Sequence, residues 1–139
     1  MERCKIIIDT NLWISLLIGK RLSEMRTLCN SATITVYFCE EVMVEFANIA
    51  NSKKIRKYVT DERIKETENL IRSSCVNIFI KNTAVSPQLR DRKDLYILSL
   101  ADTVQADYIL TGDKDLLELQ FHNRTKIVKY NEFKMFATR

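Results

Sequence analysis

The feature that most constrains the fold is a run of three isoleucines at residues 6–8, followed at once by Asp9. Consecutive β-branched apolar residues fit a strand that is buried on both faces, as in a parallel sheet. Asp9 would then stand at the carboxyl end of that strand, where open α/β sheets place their chemistry. Asn11 is predicted to cap a helix that continues through residues 12–17.

A second copy of this layout comes about a hundred residues later. Residues 108–110 form a short apolar run that leads through Thr111 and Gly112 to Asp113. Because neighbouring parallel strands end at the same edge of a sheet, we expect Asp9 and Asp113 to lie close together there.

The rest of the chain alternates between the two periodicities. Further strands are predicted over residues 32–38, 75–80 and 126–129. Helices are predicted over residues 22–29, 40–48, 61–71, 94–104, 115–119 and 131–136, with a loop over residues 81–93. This alternation predicts a single domain, residues 1–139, built as a three-layer α/β/α sandwich with Rossmann-like topology. Its central parallel sheet has four to five strands, with the third and second on one side of the first and the fourth on the other.

Composition places few further limits on the chain. A length of 139 residues with 46% hydrophobic residues fits one domain with a genuine core. The net charge of +4 permits a polyanionic partner without requiring one. No run approaches the roughly 18 apolar residues of a membrane span, and Asp9 interrupts the apolar start too early for a signal peptide. We therefore expect a cytoplasmic protein.

The metal-binding residue types other than acids are sparse. The four cysteines, Cys4, Cys29, Cys39 and Cys75, have no close spacing, and His122 is the single histidine. This pattern argues against a Cys/His metal site and predicts buried free thiols in a reducing compartment.

Acidic residues offer a more specific hypothesis. Asp94 opens the predicted helix over residues 94–104, and Glu45 lies on the helix over residues 40–48; both helices begin at the edge that carries Asp9 and Asp113. Converging carboxylates suit Mg²⁺ or Mn²⁺, which promote phosphodiester hydrolysis by activating water and neutralising charge. Asp115 is a further possible oxygen donor.

Simpler interpretations of the same acids stay open. Asp9 and Asp94 are also good helix caps, and the stretch from Asp113 to Asp115 also fits an ordinary turn into a helix. Glu41 lies one turn before Glu45 on the same helix face, so either side chain suits the site.

Together these stretches resemble the PIN-domain family of metal-dependent ribonucleases. The matching pieces are Ile8-Asp9-Thr10-Asn11, Val44-Glu45-Phe46, Asp91-x-x-Asp94 with Leu98 and Ala101 downstream, and Ile109-Leu110-Thr111-Gly112-Asp113-Lys114-Asp115-Leu116-Leu117. The resemblance covers essentially the whole chain in order and spacing. One departure is Arg92-Lys93, where relatives often have proline and an acid; it makes the rim of the site more basic.

The resemblance implies a function and a set of roles. The acidic quartet would be Asp9, Glu45, Asp94 and Asp113, surrounding Mg²⁺ or Mn²⁺ and cutting single-stranded or loop RNA. Small single-domain, VapC-like members are toxins of bacterial toxin–antitoxin pairs, which implies an antitoxin partner and a homodimer.

Basic and polar residues near the proposed crevice are the candidates for contacts with RNA. Cations there would offset the repulsion between phosphate and the acids. The candidates are Thr111, Lys114, Arg90 and Arg92, with Lys20, Arg21 and Lys93 in neighbouring loops.

Two other functions compete with a nuclease. One is a catalytically idle PIN-fold module that binds RNA or protein, which four intact acids argue against. The other is a phosphatase of the haloacid-dehalogenase type, which wants Asp-x-Asp after its first strand, whereas this chain has Asn11.

Overall fold

Within residues 3–80 and 92–137, the part of the chain that this computed structural model describes, strands and helices alternate. The strands are β1 (Cys4–Ile8), β2 (Ile34–Phe38), β3 (Val76–Asn77), β4 (Tyr108–Leu110), β5 (Phe121–His122) and β6 (Thr125–Val128). The helices are α1 (Thr10–Ile18), α2 (Leu22–Cys29), α3 (Glu40–Ala50), α4 (Lys53–Arg56), α5 (Asp61–Ser74), α6 (Arg92–Val104), α7 (Lys114–Leu119) and α8 (Tyr130–Ala137).

These strands form one sheet in the order β3-β2-β1-β4-β6-β5. Neighbouring strands are parallel except for β5 and β6, which form an antiparallel hairpin. The predicted α/β sandwich and the predicted order of its first four strands are confirmed. The hairpin was not predicted, because the two residues of β5 are too few to show any alternation. Asn123 turns this hairpin with a φ of 53°, which its short polar side chain tolerates.

The core lies against both faces of the sheet. The three isoleucines of β1 are at most 1% exposed, as expected for a strand with a layer on each side. Trp13 on α1, Phe46 on α3 and Leu98 on α6 are equally buried. Burial contributes roughly 1.5–3 kcal/mol for each such aliphatic or phenylalanine side chain, so these layers stabilise the sheet.

Several predicted boundaries were wrong by a few residues. Strand β3 covers Val76–Asn77 instead of residues 75–80, because it pairs with the last two residues of β2 and that strand ends at Phe38. Beyond the pairing, Phe79 is 82% exposed. Strand β2 starts at Ile34, two residues later than predicted.

Two helix starts also differ from the prediction. Asn11 lies inside α1, whose N-cap is Asp9, so the predicted cap was wrong by two residues. Helix α6 begins at Arg92 instead of Asp94, which places Asp94 in its first turn. The predicted loop over residues 81–93 lies outside the described residues as far as residue 91.

The cysteines are free thiols, as predicted. Cys29, Cys39 and Cys75 are buried, whereas Cys4 is only half-buried. Burial raises the pKa of Cys39 to about 12, which keeps this thiol protonated and unreactive at neutral pH. Over residues 3–80 and 92–137, none of the helices has the length and apolar character required to span a membrane.

Candidate active site

The candidate site lies where β1 and β4 end. These two strands pair in parallel, with Ile8 opposite Leu110. One residue further on, the backbone N–H of Asp9 donates to the carbonyl oxygen of Leu110 at 3.0 Å. Asp9 and Thr111 therefore leave the sheet side by side, which places the first predicted carboxylate at the predicted edge.

A buried hydrogen bond joins these two side chains. Thr111 Oγ1 donates to Asp9 Oδ2 at 2.9 Å and accepts from the backbone N–H of Asp113 at 3.0 Å. Asp9 is 4% exposed and Thr111 1% exposed. The Thr111 hydroxyl thus connects both predicted strand-end acids by using its donor and an acceptor position.

Asp9 stands at the N-cap position of α1 but makes no capping hydrogen bond with its side chain. Its Oδ2 is instead bound to Thr111. A carboxylate that served only as a cap would accept a hydrogen bond from the backbone N–H groups in the first turn of the helix. The structure therefore does not support the simpler interpretation of Asp9 as a cap.

Asp113 combines two roles. It is the N-cap of α7, and its Oδ1 accepts from the backbone N–H of Asp115 at 2.8 Å and of Leu116 at 3.3 Å. The interpretation of this stretch as a turn into a helix is thus correct for one carboxylate oxygen. Capping also holds the half-buried side chain in one orientation, so the same residue can serve the site.

Glu45, and not Glu41, is turned toward the site. Glu45 is half-buried on α3, and its Oε2 accepts a hydrogen bond from the Tyr96 hydroxyl on α6. Glu41, one turn earlier, is exposed. The Tyr96 oxygen also lies 3.1 Å from Thr10 Oγ1, next to Asp9 in the chain. Helices α1, α3 and α6 therefore meet at this hydroxyl.

The carboxylates of Asp9, Glu45 and Asp113 repel one another at this edge of the sheet. Burial raises the pKa of Asp9 from 3.8 to about 6, and the nearby carboxylates of Glu45 and Asp113 raise it further against the opposing hydrogen bond from Thr111. Burial and Glu45 also raise the pKa of Tyr96, so that phenol stays a hydrogen-bond donor. A carboxyl whose pKa is raised by burial and by neighbouring acids is typical of functional sites.

The donor chemistry fits a hard divalent cation, which would offset this repulsion and which prefers carboxylate oxygens. Among residues 3–80 and 92–137, however, no three His, Cys, Asp or Glu side chains are grouped closely enough to hold an ion by themselves. Asp94 has its backbone in the first turn of α6, and its side chain lies outside what the structure describes. The complete predicted quartet is therefore a proposal.

The predicted RNA contacts separate into three groups. Arg90 lies outside the described residues, and Arg92 is placed only by its backbone at the start of α6. Lys114 is exposed on α7 beside Asp113, as is Asp115, whose backbone N–H joins the site through Asp113. Thr111 is the correction: its side chain is buried, and its hydroxyl is used on Asp9 and Asp113 instead of facing RNA.

Arg21 and Lys20 do not belong to this site. Both follow the carboxyl end of α1, which runs away from the edge where Asp9 lies. Arg21 Nε donates to Glu24 at 2.7 Å, and its guanidinium lies 5.3 Å from the ring centroid of Tyr130. The proximity expected from the sequence was wrong because both residues lie beyond the far end of α1.

Sequence reasoning missed Tyr96 and Thr10. Each was hidden in an apolar helix pattern, Tyr96 beside Ile97 and Leu98 and Thr10 as the first residue of α1. The available signal was that Thr10 follows Asp9 and that Tyr96 lies two residues after Asp94. A hydroxyl so close to an acid in the sequence is too common to identify a functional residue.

An open apolar groove adjoins the Glu45 carboxylate. It has a volume of about 480 Å³, and its floor includes Val44, Ile49 and Tyr96. Val44 is 60% exposed and contributes apolar surface to the groove. Glu40 and Glu41 form an acidic rim.

Comparison with known proteins agrees with this geometry. A family model described as PIN domain matches residues 5–115. The structure of VapBC2 from Rickettsia felis, bound to a DNA fragment from their promoter, is similar, with a TM-score of 0.57. That match covers 91% of this chain and 98% of the other at 16% sequence identity, so the likeness concerns the fold. No curated protein matches the sequence. Since the family model spans both strand-end aspartates, the chain belongs to the PIN domain family.

Proposed function

We propose that this chain is a metal-dependent endoribonuclease that cleaves phosphodiester bonds in single-stranded or loop RNA. The observation that carries the proposal is the Asp9 carboxyl, which Thr111 holds and whose pKa is raised by burial first and then by Glu45 and Asp113. A fold gains nothing in stability from crowding carboxylates, whereas a cation site requires them. PIN domains are generally nucleases, which makes phosphate chemistry the natural use of such a site.

Asp9, Asp94 and Asp113 would hold Mg²⁺ or Mn²⁺, and Glu45 would complete the acidic quartet. Asp115 would be a further oxygen donor to the cation. When bound, the cation would lower the pKa of a water and neutralise charge on the phosphate. Thr111 would hold Asp9 in one rotamer, and the α7 cap would do the same for Asp113. Prearranged ligands of this kind lose little freedom when the cation arrives.

Contacts with RNA would come from cations around the acids. Lys114 is exposed one residue after Asp113, and we propose that it contacts a phosphate bound at the site. Arg92 and Arg90 are proposed for the same task from the start of α6 and the segment before it. Contacts of this kind position a nucleic-acid backbone without reading its bases.

A second candidate, an idle PIN-fold module that binds RNA or protein, is favoured by one observation. In the described part of the chain, no group of three potential ligands is already arranged around an ion position. Calorimetric titration with Mn²⁺ separates the two functions, because the nuclease requires a cation and the idle module does not. The haloacid-dehalogenase alternative is set aside by the family match.

We further propose that the nuclease is the toxin of a cytoplasmic toxin–antitoxin pair, acting as a homodimer. The fold matches a chain in the VapBC2 complex of Rickettsia felis. An antitoxin segment with apolar side chains for Val44 and Ile49, and a basic residue for Glu41 or Glu45, would suit the groove beside the site. Such a segment would block access of RNA to the acids.

The decisive experiment is incubation of the purified protein with assorted RNAs, with and without Mn²⁺. The wild-type protein should cleave only with the metal, and Asp9→Asn should abolish cleavage while the fold is retained. Asp61→Asn is a matched control, because Asp61 is exposed on α5 and away from the sheet edge. Full activity of Asp9→Asn would contradict the proposal.

The toxin assignment has a separate test. Expression of the chain alone should arrest bacterial growth, and co-expression of a neighbouring small gene should relieve the arrest. Harmless expression of a protein that cleaves RNA in vitro would overturn the toxin assignment and leave the nuclease in place.

A further inference from the structure

Tyr96 ties three helices together at the candidate site. It lies on α6, half-buried, and its hydroxyl donates to Glu45 Oε2 on α3. The same oxygen is 3.1 Å from the hydroxyl of Thr10, the first residue of α1. Thr10 is fully buried and follows Asp9 directly. Tyr96 is therefore the link between the Glu45 carboxylate and the peptide segment that carries Asp9.

The direction of these hydrogen bonds follows from their chemistry. An ionised carboxylate can only accept, so the single phenolic hydrogen of Tyr96 is used on Glu45. The Thr10 hydroxyl must then donate to the Tyr96 oxygen for the second contact to form. The chain runs from Thr10 through Tyr96 to Glu45, and each donor is used once.

Glu45 needs such support because of its surroundings. It lies beside the open groove, next to the 60% exposed Val44, and a glutamate side chain has several rotatable bonds. Without a partner it would sample many rotamers, several of which point into the groove and away from Asp9. The hydrogen bond to Tyr96 selects the rotamer in which Glu45 influences Asp9.

We propose that Tyr96 is a positioning residue of the candidate nuclease site, holding the Glu45 carboxylate in the orientation that serves a bound divalent cation. This inference rests on the proposed nuclease function. This role differs from packing. A residue that only packs would stabilise the fold whether or not Glu45 is present, whereas a positioning residue acts through Glu45.

The test is a double-mutant cycle with Tyr96→Phe and Glu45→Gln. Phenylalanine keeps the ring and removes only the hydroxyl, and Tyr58→Phe is the control because Tyr58 is 62% exposed. Calorimetry would give the Mn²⁺ dissociation constant of each protein, and thermal unfolding without metal would report the fold. Cleavage kinetics of the Tyr96→Phe protein would give kcat and KM for RNA.

Tyr96→Phe should weaken Mn²⁺ binding and lower kcat, each by about tenfold, which is the usual scale for a residue supporting a metal ligand. The KM for RNA should stay near that of the wild type, and the thermal midpoint should fall only by the cost of leaving Thr10 and Glu45 without their shared hydroxyl partner. In the Glu45→Gln background, the same substitution should leave Mn²⁺ affinity unchanged, because the carboxylate it supports is gone.

If Tyr96→Phe weakened Mn²⁺ binding equally in the wild-type and Glu45→Gln backgrounds, or in neither, the positioning role would be overturned. The nuclease proposal would still stand in that case if the wild-type protein cleaved RNA. A wild-type protein that neither binds Mn²⁺ nor cleaves RNA would overturn both.

Discussion

Thr111 and Asp9, 102 residues apart in the sequence, share a buried hydrogen bond of 2.9 Å. Strand pairing explains how they meet, because β1 and β4 end together and each side chain follows its strand by one position. The bond partly compensates for the burial of a carboxylate whose other neighbours are acidic. It is therefore the most direct place to test the organisation of the site.

We predict that Thr111→Val destabilises the protein by about 1–3 kcal/mol at pH 8. Valine has nearly the same shape, but it leaves the Asp9 carboxylate and the Asp113 N–H without their hydroxyl partner. Urea unfolding measures the loss. Thr111→Ser is the control, since it keeps the hydroxyl and loses only a methyl group. Equal stability of the two variants would show that the hydrogen bond is unimportant.

We predict that Asp9→Asn, which should abolish cleavage, stabilises the metal-free protein at pH 8 by about 3 kcal/mol. The pKa of Asp9 is raised from 3.8 to about 6 in the folded state, and one pKa unit corresponds to about 1.4 kcal/mol. The folded protein therefore binds this proton more tightly than the unfolded chain and loses stability as the pH rises from about 4 through about 6. Asparagine carries no such charge.

The free energy of unfolding, measured in EDTA between pH 4 and pH 8, tests whether the Asp9 carboxylate destabilises the folded protein as the pH rises. The difference between Asp9→Asn and the wild type should be small at pH 4 and reach its full size above pH 7. Asp61→Asn serves as the control, because the pKa of Asp61 is lowered by Arg56 instead of raised. A loss of stability in Asp9→Asn at pH 8 would mean that the carboxylate is well solvated or well paired.

The sequence predicted the parts of the site that depend on local patterns. An apolar strand followed by an aspartate, directly for Asp9 and after Thr111-Gly112 for Asp113, indicates a buried strand and the sheet edge where the acid lies. This is why Asp9 and Asp113 were predicted and found together. Helical spacing similarly placed Glu45 on α3. Asp94 belongs to the same prediction, and its backbone lies in the first turn of α6.

Contacts between distant segments were beyond this reasoning. The bond between Tyr96 and Glu45 spans 51 residues and depends on how α6 packs on α3. Burial of Thr111, whose hydroxyl bonds Asp9 and the backbone of Asp113, likewise depends on the layers around β4. The short length of β3 was set by where its partner strand ends. Residue types and their spacing in the sequence do not show how distant segments pack against one another.

Glu24→Gln should lower the free energy of unfolding by about 1 kcal/mol at pH 7 and low salt. Glu24 on α2 accepts from Arg21, from Lys134 on α8 and from the Tyr130 hydroxyl, and these partners lower its pKa from 4.5 to about 2. Its contribution is therefore present above pH 4.5 and disappears as the pH falls toward 2.

The same variant should lose its defect in 1 M NaCl, because the ion pairs are partly exposed and salt screens them. Urea unfolding at pH 7 and near pH 2, each at two salt concentrations, measures the effect. Glu118→Gln is the matched control on the exposed face of α7. A defect of constant size across pH would assign it to packing instead of charge.

Val44→Asn should weaken binding of the proposed antitoxin by about tenfold. Val44 is 60% exposed on the floor of the groove beside Glu45, and an exposed aliphatic side chain in such a position gains most when a partner covers it. Calorimetry with the purified product of the neighbouring small gene would measure the dissociation constant. Phe121→Asn is the control, because Phe121 is 56% exposed on β5, the strand at the opposite edge of the sheet from β3. Unchanged affinity of Val44→Asn, or an equal loss in Phe121→Asn, would show that the antitoxin does not occupy this groove.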